Sequence, residues 1–177
     1  MLKIASYDIV FQEVPGEVTL ALNISGCPCH CKGCHSPHLW EDTGEPLTTD
    51  LLDVLIEKYA GLITCVCVMG GDQEPEEVFR LAEHVKTHSP SSHTHPPLHT
   101  AWYSGRPYTP DSADFKPPFR FHLSVFNFLK FGPYIETLGG LKSERTNQRL
   151  YKRVGSGTPD APYEWQDVTS TFRRKTL

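Results

Sequence analysis

Apolar and polar positions change period several times along the chain, and each change marks an element. Residues 2–11 and 17–24 are short apolar-rich runs that predict two strands, joined across Pro15-Gly16 as a turn. From Thr48 the period lengthens. Leu51, Leu52, Leu55, Ile56 and Tyr59 recur with helical spacing, Thr48 or Thr49 is placed to cap the start, and Gly61 ends the pattern. Residues 62–69 form an unbroken apolar run of strand length, rich in β-branched side chains, as expected of a strand buried on both faces. Gly70-Gly71-Asp72 closes that run. Pro75 then suits the first turn of a second helix, whose apolar face is Val78, Leu81, Ala82 and Val85. Residues 89–97 are a loop by composition, and 98–103 predict a strand ending at Ser104-Gly105-Arg106. A Pro- and Asp-rich connection over 107–118 leads to an aromatic strand over 121–131, ended by Gly132-Pro133.

Strand, helix, strand, helix, strand is the order of a parallel α/β sheet. A closed eight-stranded barrel typically needs about 250 residues, and this chain has 177. The expectation is a single domain over 1–154 built as an open, partial parallel β/α barrel, followed by a turn-rich tail over 155–177. In such a layout the loops at the carboxyl ends of the strands form the site. The segments at those ends are residues 26–35, Gly70-Gly71-Asp72 and Ser104-Gly105-Arg106, so three separate stretches are expected to converge on one edge.

Composition alters this picture little: 38% hydrophobic, 21% charged and a formal net charge of −4 are ordinary for a globular domain. The one concentrated basic run, Arg173-Arg174-Lys175, needs no nucleic-acid partner. No apolar stretch approaches a membrane span. Lys3, Asp8 and Glu13 interrupt the start, which therefore lacks the apolar core of a signal peptide. The expected compartment is the cytoplasm, where clustered thiols indicate metal or redox chemistry rather than disulfides.

Cysteine usage changes the picture most. Four of the six cysteines fall within eight positions, in Gly26-Cys27-Pro28-Cys29-His30-Cys31-Lys32-Gly33-Cys34-His35. Cys27, Cys31 and Cys34 are spaced Cys-x3-Cys-x2-Cys, and three thiolates on one loop can hold three irons of a cubane and leave the fourth iron open to a small molecule. Gly26 and Gly33 allow the backbone to wrap closely round such a cluster. Cys29 is expected to point away from the irons, with a role as competing ligand left open. His30 and His35 are expected around the site or facing solvent. Zinc is the rival occupant, but it usually draws four ligands from two separated knuckles. The remaining thiols, Cys65 and Cys67, sit on the buried strand as small hydrophobes. Met69-Gly70-Gly71-Asp72 offers a close backbone approach, with Asp72 accepting a hydrogen bond from an ammonium group. An open iron beside an ammonium acceptor suits S-adenosyl-L-methionine, whose amino and carboxylate groups would chelate the iron. Trp40 is expected to shield the cluster. The histidines His84, His88, His93, His95 and His99 fall on an exposed helix face and a variable loop and are not expected to form a metal site.

These residues resemble a known family. Cys27-x3-Cys31-x2-Cys34 is similar to the radical S-adenosylmethionine motif. Gly70-Gly71-Asp72 resembles that superfamily's Gly-Gly-Glu element, with the shorter Asp72 carrying the carboxylate. Cys31-Lys32-Gly33-Cys34-His35-Ser36-Pro37, Gly132-Pro133-Tyr134-Ile135 and Thr146-Asn147-Gln148-Arg149 resemble segments of anaerobic ribonucleoside-triphosphate reductase activating proteins, and together span most of residues 5–154. The resemblance implies a [4Fe-4S] cluster on Cys27, Cys31 and Cys34. It places S-adenosyl-L-methionine against Gly70, Gly71 and Asp72, with Ser104 and Arg106 near its ribose or carboxylate. It also implies a glycyl radical made on the large subunit of the anaerobic reductase, and a one-electron donor of flavodoxin type. Tyr134 and Asn147 to Arg149 would shape the partner surface. The alternatives are an activase of another glycyl-radical enzyme, and an iron–sulfur or zinc-binding protein without catalysis.

Overall fold

A computed structural model describes residues 1–88, 97–111, 123–158 and 163–173. Its frame is one eight-stranded sheet: β1 (Lys3–Val10), β2 (Thr19–Ile24), β3 (Glu45–Pro46), β4 (Cys65–Met69), β5 (His99–Tyr103), β6 (Phe128–Phe131), β7 (Arg149–Val154) and β8 (Glu164–Asp167). The spatial order is β3-β1-β2-β4-β5-β6-β7-β8. The four central strands, β2, β4, β5 and β6, run parallel. Antiparallel strands extend the sheet on both sides. The β1–β2 hairpin follows the sequence pattern, whereas β7 and β8 lie where no strand was expected. β8 uses part of the stretch read as a tail.

Two helices are present among the described residues, α1 (Thr49–Lys58) and α2 (Pro75–His88). Thr48 caps α1 by accepting the Leu51 N–H at 3.2 Å. The helix stops at Lys58, with Tyr59 as its cap, before Gly61 is reached. Both helices pack on one face of the sheet, where Leu52, Leu55, Ile56, Val78, Leu81 and Val85 meet Leu20, Leu22, Val66, Val68 and Leu129. The opposite face is smaller: Cys65, Cys67, Ala101, Phe128 and Leu150 pack with Val14, Val168 and Phe172. The run 62–69 therefore yields a strand covered on both sides, as its unbroken hydrophobicity predicts. The aromatic strand is shorter than its pattern. Only Phe128–Phe131 pair, and Leu123–Val125 form a single 3-10 turn. Residues 112–118 of the expected connection, residues 121 and 122, His93, His95, Arg174 and Lys175 lie outside the described residues.

The register sets up the site. Asn23 pairs with Met69, Met69 with Tyr103, and Tyr103 with Lys130, which puts one row of side chains across the carboxyl ends of four parallel strands. Below that row lie Ala21, Cys67, Ala101 and Phe128. Trp102 ties core to site. It is fully buried against Phe79, Phe126 and Phe131 and donates its indole N–H to the Gly70 carbonyl at 2.8 Å.

Gly71 shows how tightly α2 is docked. Its φ is +83°, and a methyl group there would stand 2.5 Å from Val78 Cγ2. Gly71→Ala is expected to destabilise the fold by about 2–4 kcal/mol, summing a left-handed backbone penalty and overpacking. Thermal unfolding checks this, and the cost should shrink in a Val78→Ala background. An unchanged cost there would mean that the backbone term alone operates.

Candidate metal and cofactor site

The cysteine loop leaves the end of β2 and returns through a 3-10 turn at Pro37–Trp40. Backbone hydrogen bonds pin both ends: Gly26 N to Glu41 O at 3.0 Å and Cys27 N to Leu39 O at 2.9 Å. Within the loop, Cys34 N donates to Cys31 O at 3.0 Å, and Ser36 N donates to Cys34 Sγ at 3.4 Å. His30 adopts a left-handed φ of 43° and stacks on Trp40 with ring centroids 4.9 Å apart. Gly33, also left-handed, lies against the Glu136 side chain.

This loop faces a cavity of about 330 Å³. Cys27, Cys29, Cys31 and Cys34 all line it, together with Trp40, Gly70, Asp72, Ser104 and the row Asn23, Met69, Tyr103 and Lys130. The three stretches expected at the strand ends thus do meet, although not every residue of them reaches the cavity. Gly71 makes room for Val78 and is absent from the lining. Arg106 is exposed; its N–H donates to Ser104 Oγ at 3.0 Å.

Cys29 departs from expectation. It turns inward, with Cys27 Sγ, Cys29 Sγ and an Asp72 oxygen all within 4.8 Å of one another, the one such ligand group among the described residues. The reason is tertiary: Gly105 has no side chain, and a methyl group there would sit 2.6 Å from Cys29 Sγ. The hydrogen bond from Cys29 lowers Cys27 to about 6, and the same bond, reinforced by burial and by Asp72, pushes Cys29 well above the ordinary thiol range.

Asp72 is 5% exposed and already engaged. Its Oδ1 accepts from Ser104 Oγ at 2.5 Å, its Oδ2 accepts from Gly105 N at 2.9 Å, and Cys29 Sγ lies 3.7 Å from Oδ2. Its first structural task is therefore to fasten the loop after β5 to the loop after β4. Ser104, fully buried, is the other half of that fastening.

Lys130 is the site residue that the sequence pattern did not single out. The signal was present: a lone cation inside the run Phe128-Leu129-Lys130-Phe131. It is 9% exposed, and its ammonium donates to Gly132 O at 2.9 Å. Burial lowers its pKa to about 8, while Asp72, Cys31, Cys29 and Cys27 oppose the shift. The folded value lies below the ordinary 10.5, so between these limits the unfolded chain binds more protons and stability rises with pH. In metal-free protein, wild type is expected to gain on Lys130→Met by about 3 kcal/mol from about pH 7 to 10.5. Denaturant titration at both pH values checks it, and a flat difference would show that the amine is not buried as a cation.

The segment 146–149 braces the cavity through hydrogen bonds to the loop after β6. Asn147 Nδ2 donates to Pro133 O at 2.9 Å and Gln148 Nε2 to Gly132 O at 3.3 Å. Arg149 turns back onto Thr146 O and Gln148 O. Tyr134 lines the cavity, its ring 5.0 Å from that of His35. His84 stacks on His88 at 4.2 Å and pairs with Asp53. His99 pairs with Glu17.

The donor set fits an iron–sulfur cluster: soft thiols from one loop, in one cavity, with backbone N–H groups turned toward sulfur. The sequence model of a family described as a 4Fe-4S single cluster domain matches residues 14–98. That stretch contains the whole cysteine loop and Gly70-Gly71-Asp72, and the match supports a 4Fe-4S cluster within it. No curated protein and no solved structure matches the chain. No helix among the described residues is long and apolar enough to cross a membrane.

Proposed function

We propose that this chain is an activating enzyme that reductively cleaves S-adenosyl-L-methionine on a [4Fe-4S] cluster and generates a glycyl radical on the large subunit of an anaerobic ribonucleoside-triphosphate reductase. One observation carries the reading. The thiols of a single loop face the same cavity as a buried ammonium, Lys130, and a buried carboxylate, Asp72. An amino acid-like cofactor needs that pair of opposite charges. The run of parallel strands β2, β4, β5 and β6 supports an open β/α barrel as the scaffold.

In this reading Cys27, Cys31 and Cys34 hold the cluster. Lys130 pairs with the cofactor's carboxylate. Asp72 keeps lone pairs beyond the hydrogen bonds from Ser104, Gly105 and Cys29 and offers them to the cofactor's amino group. Gly70 and Ser104 wall the same space, and Arg106 stands outside it for the ribose or carboxylate. Once bound, cluster and cofactor supply the one-electron cleavage of the sulfonium and the hydrogen abstraction that follows. The protein orients them and keeps water out. A glycine suits the target because no side chain blocks its Cα–H. The electron comes from a flavodoxin-type donor in the cytoplasm.

Electron paramagnetic resonance of anaerobically reconstituted, reduced protein tests this. A cubane signal that changes on adding S-adenosyl-L-methionine, with release of 5′-deoxyadenosine, is expected. A glycyl radical should then appear on the added reductase subunit. A signal blind to the cofactor would overturn the reading. Zinc alone in metal analysis would favour a mononuclear site on Cys27, Cys29 and Asp72, whose ligand atoms already lie within 4.8 Å of one another.

A further inference from the structure

We propose that Cys29 supplies a fourth thiolate to the cluster as long as no cofactor is bound, and that S-adenosyl-L-methionine displaces it. The first part stands on the cysteine loop alone. The identity of the displacing ligand rests on the reading above.

A cysteine within the three-residue gap between Cys27 and Cys31 has no reason from spacing to face the irons, yet Cys29 lines the cavity with the other three. Its direction is built in from two sides. Next to it, His30 takes up a left-handed backbone and stacks on Trp40, which fixes the loop at that point. Across the cavity, bare Gly105 leaves the room that Cys29 Sγ fills, since a Cβ there would approach to 2.6 Å. The Gly105 N–H is in turn held by Asp72.

An iron without a protein ligand is the one most readily lost on oxidation, and a thiolate is the ligand such an iron prefers. A single thiolate is also replaceable, because the cofactor brings two donor atoms to the same iron. The exchange balances without electrons. One Fe–S bond breaks, and one Fe–N and one Fe–O bond form. The cofactor's ammonium must shed a proton to ligate, and the departing Cys29 thiolate takes one up. Asp72 Oδ2, 3.7 Å from Cys29 Sγ, is placed to accept the hydrogen bond of the thiol so formed.

The test compares full-length wild type with Cys29→Ala and Cys29→Ser, all anaerobically reconstituted. Each is oxidised with ferricyanide without cofactor, and conversion to a [3Fe-4S] signal and the iron released are followed together. Wild type is expected to keep its fourth iron. Both variants should lose it about tenfold faster or more, since even an outer contact of a metal site is worth about 10- to 100-fold in affinity. Equal rates in all three proteins would overturn the proposal. So would a cubane that fails to assemble in both variants, because Cys29 would then be a permanent ligand. The activase reading is checked separately by the response of the reduced Cys29→Ala cluster to S-adenosyl-L-methionine. Equal oxidation rates with a responsive cluster sink the fourth thiolate alone. Slower loss in wild type with no response in any protein sinks the activase reading and leaves the fourth thiolate standing.

Discussion

Cys31→Ala and Cys34→Ala proteins, reconstituted anaerobically with iron and sulfide, are expected to lose the cubane absorbance, while Cys65→Ala and Cys67→Ala keep it. All six cysteines of the chain are free, so composition does not separate these four. Their surroundings do. Cys31 and Cys34 line the cavity and are joined by a tight turn, Cys34 N to Cys31 O at 3.0 Å. Ser36 N donates to Cys34 Sγ at 3.4 Å. Cys65 and Cys67 are fully buried on the lower rows of the sheet, where burial pushes both thiols up and holds them neutral. Removing a ligand should lower cluster occupancy by about 10- to 100-fold or more. Trimming a buried cysteine should cost only the small cavity, about 1 kcal/mol. Iron and sulfide analysis with visible absorbance reads the difference. Retained cubane in Cys34→Ala would remove Cys34 from the cluster's ligand set.

The second large effect is expected at Asp72. Asp72→Ala leaves the fully buried Ser104 hydroxyl and the Gly105 N–H without their acceptor. An unpaired buried donor costs about 1–3 kcal/mol, and Gly105 is only half-buried, so the loss should be about 2–4 kcal/mol in metal-free protein. For a chain of this length that lowers Tm by about 5–15 °C. Asp72→Asn keeps one acceptor oxygen and should lose roughly half as much. Both variants should also loosen the wall behind Cys29, and the reconstituted cluster should respond less to cofactor. If Asp72→Ala melts like wild type yet loses the cofactor response, Asp72 acts only as a ligand group and the fastening role fails. If stability falls while Asp72→Asn restores both, the two roles are joined in one side chain.

The site shows where pattern ends and packing begins. The Cys27, Cys31 and Cys34 spacing is local chemistry, confined to eight positions, so it is readable without a fold. The same holds for α1 and α2, whose apolar faces repeat within each helix, and for β4, whose unbroken run needs cover on both faces. The short strands β7 and β8 escaped because Arg149–Val154 and Glu164–Asp167 are short runs rich in polar residues, β8 at the edge of the sheet and β7 just inside it. Their pairing follows from the partner rather than from their own hydrophobicity.

By itself, then, the sequence determined that three cysteines on one loop make a cluster chemistry possible and that parallel strands carry it. Only the tertiary structure decided how that chemistry is surrounded. Asp72 is committed to Ser104, 32 residues away, and Cys29 is turned toward Asp72 across 43 residues. Lys130 becomes a buried cation because the β5–β6 register sets it beside Tyr103 at the strand ends. Each of these is a contact between segments distant in the chain, and the side-chain period within a segment carries no information about which partner it will meet.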